Sequence, residues 1–225
     1  MKNISKFKVD KTILIPLILF AIISIITLYG ANSILPSHMD DLVYKQIIWY
    51  VGGFILAYII MTIGNTHIYR MTWILYGIGV ASLIGLFFFG INVNDATCWY
   101  EIKGVGTIQP SEFMKIILII TIATMIAKFN EDFPNPNIRE EFYFLIKVML
   151  VVFVPSILTF MQPDTGVVLI YLLITLVMLF VSGIRYRWFA LLFGIFLAFV
   201  VFVLVIYFIS QDLFIKIFGT SFFLR

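Results

Sequence analysis

Long apolar runs, each near the length needed to cross hydrocarbon as a helix, dominate this 225-residue sequence. At a rise of 1.5 Å per residue, about 20 residues span the roughly 30 Å core of a bilayer. The runs lie at 13–32, 46–63, 71–91, 110–127, 142–161, 166–183 and 188–209, separated by short clusters of Pro, Gly, Asn and charge. Hydrophobic residues make up 62% of the chain and charged residues 12%, a balance that would not keep a soluble domain of this length in solution. A membrane barrel would show segments of about 10 residues alternating with period two, and these runs do not alternate. The predicted fold is therefore all-α, a polytopic membrane bundle of about seven transmembrane helices forming a single domain over residues 1–225.

Orientation follows from the basic residues of the loops. With the N-terminus cytoplasmic, Lys2, Lys6, Lys8, Lys11, Arg70, Lys128, Arg139, Lys147, Arg185 and Arg187 lie inside, against Lys45, Lys103, Lys115, Lys216 and Arg225 outside. The first run is read as an uncleaved helix, although Ala31-Asn32-Ser33 imitates a signal cleavage site, because the run is long and further spans follow it. This topology sends 33–45, the loop 92–109, the turn at Gln162-Pro163-Asp164 and the stretch from Ser210 to the outside. Cys98 is then within reach of a thiol reagent that cannot cross the membrane. The segment 128–141, with Glu131, Asp132, Glu140 and Glu141, reads as an ordinary solvated cytoplasmic connector. Trp73 and Trp188 read as anchors at the inner interface and Trp49 at the outer one.

Several function classes drop out. The net charge of +3 is small and the basic residues are scattered, which gives no nucleic-acid footprint. One cysteine excludes an internal disulfide, and His38 and His67 are too far apart to offer metal-ligand spacing. The sequence identifies no cofactor. It carries neither a Gly-rich phosphate loop nor a Ser/His/Asp set.

Two places put ionisable groups where lipid makes them costly. In Gln109-Pro110-Ser111-Glu112-Phe113-Met114-Lys115, Pro110 suits a first helical turn, and Glu112 and Lys115 share a face three residues apart. Their heads either line an outward-opening polar cavity, or Glu112 favours the positive helix end while Lys115 snorkels to the interface. In Gln162-Pro163-Asp164-Thr165-Gly166, Asp164 either serves such a cavity or caps the next helix, and the two roles can coexist. Trp99, in the loop after the third run, reads as an interfacial anchor or as part of the site.

Gln109 to Lys115, followed about 50 residues later by Gln162 to Gly166, with Trp99 ahead of both and Val9-Asp10-Lys11 before the first run, resembles the SEDS family of shape, elongation, division and sporulation proteins, which includes RodA, FtsW and SpoVE. The Gln-Pro-Ser-Glu form leans toward RodA. The resemblance covers essentially the whole chain. It implies a peptidoglycan glycosyltransferase of the bacterial cytoplasmic membrane, serving cell shape or division. Such a protein polymerises lipid II on the outer face, with a class B penicillin-binding protein as its transpeptidase partner. It further implies that Glu112, Lys115 and Asp164, together with Gln109, Ser111 and Gln162, belong to a cavity near the lipid-linked substrate, roofed by the loop that carries Trp99.

Two departures qualify what carries over. Where the family has a basic residue shortly before the loop tryptophan, this chain reads Asp95-Ala96-Thr97-Cys98, which removes a natural partner for pyrophosphate. The family has about ten spans, so this chain resembles an N-terminal portion, and the family's catalytic acid is expected beyond Arg225. No catalytic residue is assigned within the chain, and residues 1–225 alone are expected to insert in the membrane without polymerising lipid II. The rival readings are a lipid II flippase and a non-catalytic scaffold for a division or elongation partner. A flippase needs polar groups along the depth of the bilayer, whereas the charges here cluster at the outer ends of two runs.

Overall fold

A computed structural model describes residues 10–31, 42–93 and 96–209. Lys2, Lys6, Lys8, Asn32 and Ser33 of the cleavage-site mimic, most of the outer segment 33–45, Asp95 and the stretch from Ser210 lie outside the described residues.

Among the described residues seven long helices occupy the seven apolar runs: α1 (Lys11–Ala31), α2 (Leu42–Ile63), α4 (Thr72–Phe89), α5 (Pro110–Asp132), α6 (Ile138–Phe160), α7 (Thr165–Val181) and α8 (Tyr186–Ile209). A short helix, α3 (Asn65–Arg70), links α2 to α4. Helices α1, α2, α4, α6 and α8 are each long and apolar enough to cross a membrane, and α7 is apolar but only 17 residues long. The protein is a multi-pass membrane helix bundle.

Two connectors differ from the sequence reading. The loop between α4 and α5 is a three-stranded antiparallel meander, β1 (Ile91–Val93), β2 (Ala96–Ile102) and β3 (Gly106–Ile108), in the order β1-β2-β3. Outside hydrocarbon, strand edges can be left to water, so a sheet is allowed where a span would forbid it. The connector 128–141 contracts to 133–137, because α5 continues to Asp132 and α6 starts at Ile138. A capping box fixes that start: Asn137 Oδ1 accepts from the amides of Arg139 and Glu140 at 2.9 and 3.0 Å, and the Glu140 carboxylate accepts from the Asn137 amide at 2.7 Å.

The packed centre is formed by α4, α5, α6 and α7. Leu83 and Leu86 of α4, Met114, Leu118 and Ile122 of α5, Val148 and Val152 of α6 and Tyr171 of α7 fill it. At the end of the bundle away from the β-meander Phe129 and Phe144 stack with centroids 4.2 Å apart.

Glu141 is not the solvated side chain expected of a connector. It is 1% exposed, with Arg185 Nε 3.3 Å from its Oε1 and Trp188 Nε1 donating to its Oε2 at 2.8 Å. Arg185 also donates from Nη2 to the Pro136 carbonyl at 2.6 Å. A carboxylate out of water needs such partners, and they fasten the start of α8 to α6 and the preceding turn. Trp188 is therefore a member of this cluster, beyond any anchoring role at the interface.

Pro155 lies inside α6 and has no N–H, so the Val151 carbonyl one turn back loses its helical partner. The Tyr76 hydroxyl of α4 donates to that carbonyl at 2.8 Å. Removing the hydroxyl with Tyr76→Phe strands the carbonyl in an apolar setting and is expected to cost about 1 kcal/mol of stability. In a Pro155→Ala background the new amide takes over the carbonyl, and the penalty of Tyr76→Phe should vanish. Denaturation of the four proteins of this cycle in detergent checks it, and an equal penalty in both backgrounds would break the link between Tyr76 and Pro155.

Candidate functional site

Alternation along β2 sends neighbouring side chains to opposite sides. Cys98 and Tyr100 turn toward the bundle: the Cys98 thiol donates to the Gln162 carbonyl at 2.9 Å, and the Tyr100 hydroxyl donates to the Ser82 carbonyl at 2.7 Å. A Cβ at Gly85 would collide with that hydroxyl, so the close approach of the sheet to α4 needs glycine there. Gln162 donates from Nε2 to the Leu83 carbonyl at 2.8 Å. These bonds fix the meander and the α6–α7 turn to one end of α4, the end that the charge count assigns to the outside.

From β3 the chain passes directly into α5, with Gln109 extended at the N-cap and Pro110 at the first helical position. The Gln109 side chain does not cap its own helix. Its Nε2 donates to Asp164 Oδ2 at 2.7 Å, while Asp164 Oδ1 accepts from the Val167 amide at 3.4 Å and caps α7. One carboxylate thus closes one helix start and ties it to another. The Tyr171 hydroxyl adds a second tie, donating to the Ser111 carbonyl at 3.0 Å.

An open cleft lies above these helix starts, walled by Trp49 of α2, Trp99 of β2, Thr107 and Ile108 of β3, and Gln109, Glu112 and Phe113 at the start of α5. The Glu112 carboxylate lies 2.6 Å from Lys115 Nζ, with the two side chains 51% and 21% exposed. Gly106, at φ 133°, brings its backbone under Trp49, where a Cβ would stand 3.3 Å from the indole nitrogen.

Of the residues singled out in the sequence, Gln109, Glu112 and Trp99 share the cleft wall. Lys115 stands behind Glu112, and Asp164 behind Gln109. Ser111 and Gln162 are buried at 1% and 2% exposure beneath the cleft, and their side-chain oxygens Oγ and Oε1 have no hydrogen-bond partner among the described residues. The capping role of Asp164 is present, and it coexists with the bond to Gln109. Trp49 is the wall residue that the sequence does not reveal: it lies 50 residues before Trp99, and an interfacial anchor has the same sequence signature.

Cys98 is placed differently from the expectation of an accessible loop thiol. It is 1% exposed, and burial first, with the negative charge of Asp164 second, pushes its pKa up to about 11. Among the described residues no group of three or more His, Cys, Asp or Glu is placed to hold a metal ion.

The family of cell cycle proteins that groups FtsW, RodA and SpoVE matches residues 10–219. The chain is 31% identical over 206 residues to the probable peptidoglycan glycosyltransferase FtsW of Wigglesworthia glossinidia brevipalpis, an alignment covering 88% of this chain and 52% of that protein. It is 28% identical over 188 residues to the peptidoglycan glycosyltransferase RodA of Treponema pallidum, covering 83% of this chain and 41% of that one. The crystal structure of the Thermus thermophilus rod shape determining protein RodA superposes with a TM-score of 0.60 at 25% identity, over 81% of this chain and 57% of that one. A chain in a structure describing coordination of polymerization and crosslinking by a peptidoglycan synthase complex shares the fold at a TM-score of 0.64 and 21% identity, covering 90% of this chain and 58% of that one. The chain spans about half the length of the curated relatives it matches, 52% and 41% in the two cases above.

With its thiol buried and its pKa near 11, Cys98 is expected to resist a membrane-impermeant maleimide at neutral pH. A raised thiol pKa leaves the protonated, unreactive form in place until the pH approaches that value, so labelling should climb only in strongly alkaline buffer. In a Cys98→Ser background, Lys103→Cys on the exposed β2–β3 turn should label at once from the outside. Fast labelling of native Cys98 at neutral pH would contradict its bond to Gln162.

Proposed function

The chain belongs to the FtsW, RodA and SpoVE family of cell cycle proteins, and from that premise we propose that it takes part in peptidoglycan glycosyl transfer, polymerising lipid II on the outer face of the bacterial cytoplasmic membrane. One observation carries the reading: Trp49, Trp99, Gln109 and Glu112 converge on one cleft at the end of the bundle assigned to the outside. Indole faces and amide or carboxylate groups suit an amino-sugar headgroup, and the apolar flank with Phe113 and Ile108 suits the start of a polyprenyl chain. Lys115, held by Glu112, supplies a cation for the pyrophosphate that the family's missing basic loop residue would otherwise meet.

In the transfer, an acceptor sugar hydroxyl attacks the donor's anomeric carbon, and undecaprenyl pyrophosphate leaves. A general base takes the hydroxyl proton. None of the cleft residues is assigned that task. In this reading they hold and orient the lipid-linked sugars, and a class B penicillin-binding protein acts as transpeptidase partner. Between the cleft and the charged groups at the opposite end the packed centre is apolar, with Leu118, Ile122, Val148 and Val152, which supports an outer-face site over a path through the bilayer.

The test reconstitutes the family-length polypeptide carrying this sequence, with its transpeptidase partner, in liposomes containing labelled lipid II. Glycan strands are expected, and Asp164→Asn should abolish them while abundance and melting temperature stay near normal, because Asn caps a helix about as well as Asp. Glu112→Gln and Lys115→Met should lose activity likewise. Full activity of Asp164→Asn would leave capping as the whole role of Asp164. Transbilayer movement of lipid II without strands would favour the flippase, and neither outcome the scaffold.

A further inference from the structure

At the opposite end of the bundle a groove of both charge signs runs between α5 and α6, independent of the outer cleft. Helix α5 presents Met125, Lys128, Phe129 and Asp132, spaced i, i+3, i+4, i+7, and α6 presents Glu140, Tyr143, Phe144 and Lys147 with the same spacing. One face of each helix therefore meets the other across the groove. The stacked rings of Phe129 and Phe144 form its floor, and Trp73 of α4 closes one side.

Three of its four charges are left over from the fold, and the fourth, Glu140, has one carboxylate oxygen in the capping box. Among the described residues the two ion pairs are Glu112 with Lys115 and Glu141 with Arg185, so Lys128, Lys147 and Asp132 have no ionic partner. Lys147 lies nine residues beyond Ile138, about 14 Å along α6, deep enough that its ammonium needs an anion or has to reach back toward water. Two lysines and two carboxylates on one groove sum to no net charge. A purely anionic headgroup would meet repulsion from Asp132 and Glu140, whereas a headgroup carrying a phosphate and an ammonium a few ångströms apart satisfies both signs. Trp73 and Tyr143, exposed amphipathic rings, suit the level where headgroup meets acyl chain.

We propose that this groove is a binding site for a zwitterionic aminophospholipid of the inner leaflet, a phosphatidylethanolamine. Its phosphate sits between Lys128 and Lys147, its primary ammonium donates hydrogen bonds to Asp132 and Glu140 nearer the helix ends, its ethanolamine methylenes lie over the Phe129–Phe144 floor, and its acyl chains leave past Met125. A quaternary choline has no N–H to donate and fits the carboxylates less well.

The experiment purifies the full chain and measures lipid retention by native mass spectrometry after exchange into phosphatidylethanolamine, phosphatidylcholine or phosphatidylglycerol. One phosphatidylethanolamine should be retained at least tenfold better than the other two. Lys128→Ala with Lys147→Ala should lower that retention at least tenfold, while Lys128→Arg with Lys147→Arg keeps it. Asp132→Asn with Glu140→Gln, which preserves the capping box, should remove the preference over phosphatidylglycerol. As a second readout, phosphatidylethanolamine brominated near the head of its acyl chains should quench a fluorescence component that Trp73→Phe deletes. Equal retention of the three lipids by the native protein, or undiminished retention by the double alanine variant, would overturn the proposal.

Discussion

Hydrocarbon offers a peptide group no hydrogen-bond partner, so each backbone amide and carbonyl within the spans has to be satisfied inside the protein. Helices meet this demand everywhere except at their ends and at proline. The exceptions organise this molecule. At Pro155 the abandoned Val151 carbonyl is taken by Tyr76, which couples α4 to α6. Several hydroxyls within the spans turn back on their own helices, as Thr121 does to Ile117, Ser156 to Val152 and Thr175 to Tyr171, whereas the buried Thr159 Oγ1 has no partner among the described residues.

At the helix starts the same demand produces the candidate site. The first amides of α5 and α7 have no intrahelical acceptors, and both helices begin beside one another under the β-meander. Asp164 answers for α7 and, through Gln109, holds the start of α5 in place. Glu112 sits in the first turn of α5, where the helix dipole favours a negative charge, and Lys115 behind it holds its carboxylate at the cleft wall. The one carboxylate of Asp164 thus serves two helix starts, capping α7 with one oxygen and holding Gln109 with the other.

The end of the bundle away from the β-meander handles charge differently. Glu141, Arg185 and Trp188 form a closed, satisfied cluster that fastens α8. A few residues away, Lys128, Asp132 and Lys147 have no ionic partner among the described residues and face a groove with an aromatic floor. A closed cluster stabilises the fold, and an open one invites a ligand.

The sequence by itself determined the solvent of the fold, the positions of the long helices and the family, because run length, apolar content and the paired motifs at Gln109–Lys115 and Gln162–Gly166 are local properties of the chain. It also marked Glu112, Lys115, Asp164 and Trp99 as residues of interest, since ionisable and amphipathic groups near hydrocarbon are costly and so stand out. It could not separate cap from cavity at Asp164, because both readings ask for the same carboxylate at the same helix start. Only the tertiary structure decided that Cys98 and Tyr100 anchor the outer sheet while Trp99 faces the cleft, since period-two alternation is invisible until the strand has partners. It alone brought Trp49 to that cleft and buried Glu141 against Arg185, for these contacts join residues 40 or more positions apart. Hydropathy tells each helix to enter the membrane, but the choice of neighbour is made by interhelical packing and hydrogen bonds, which no single segment of sequence contains.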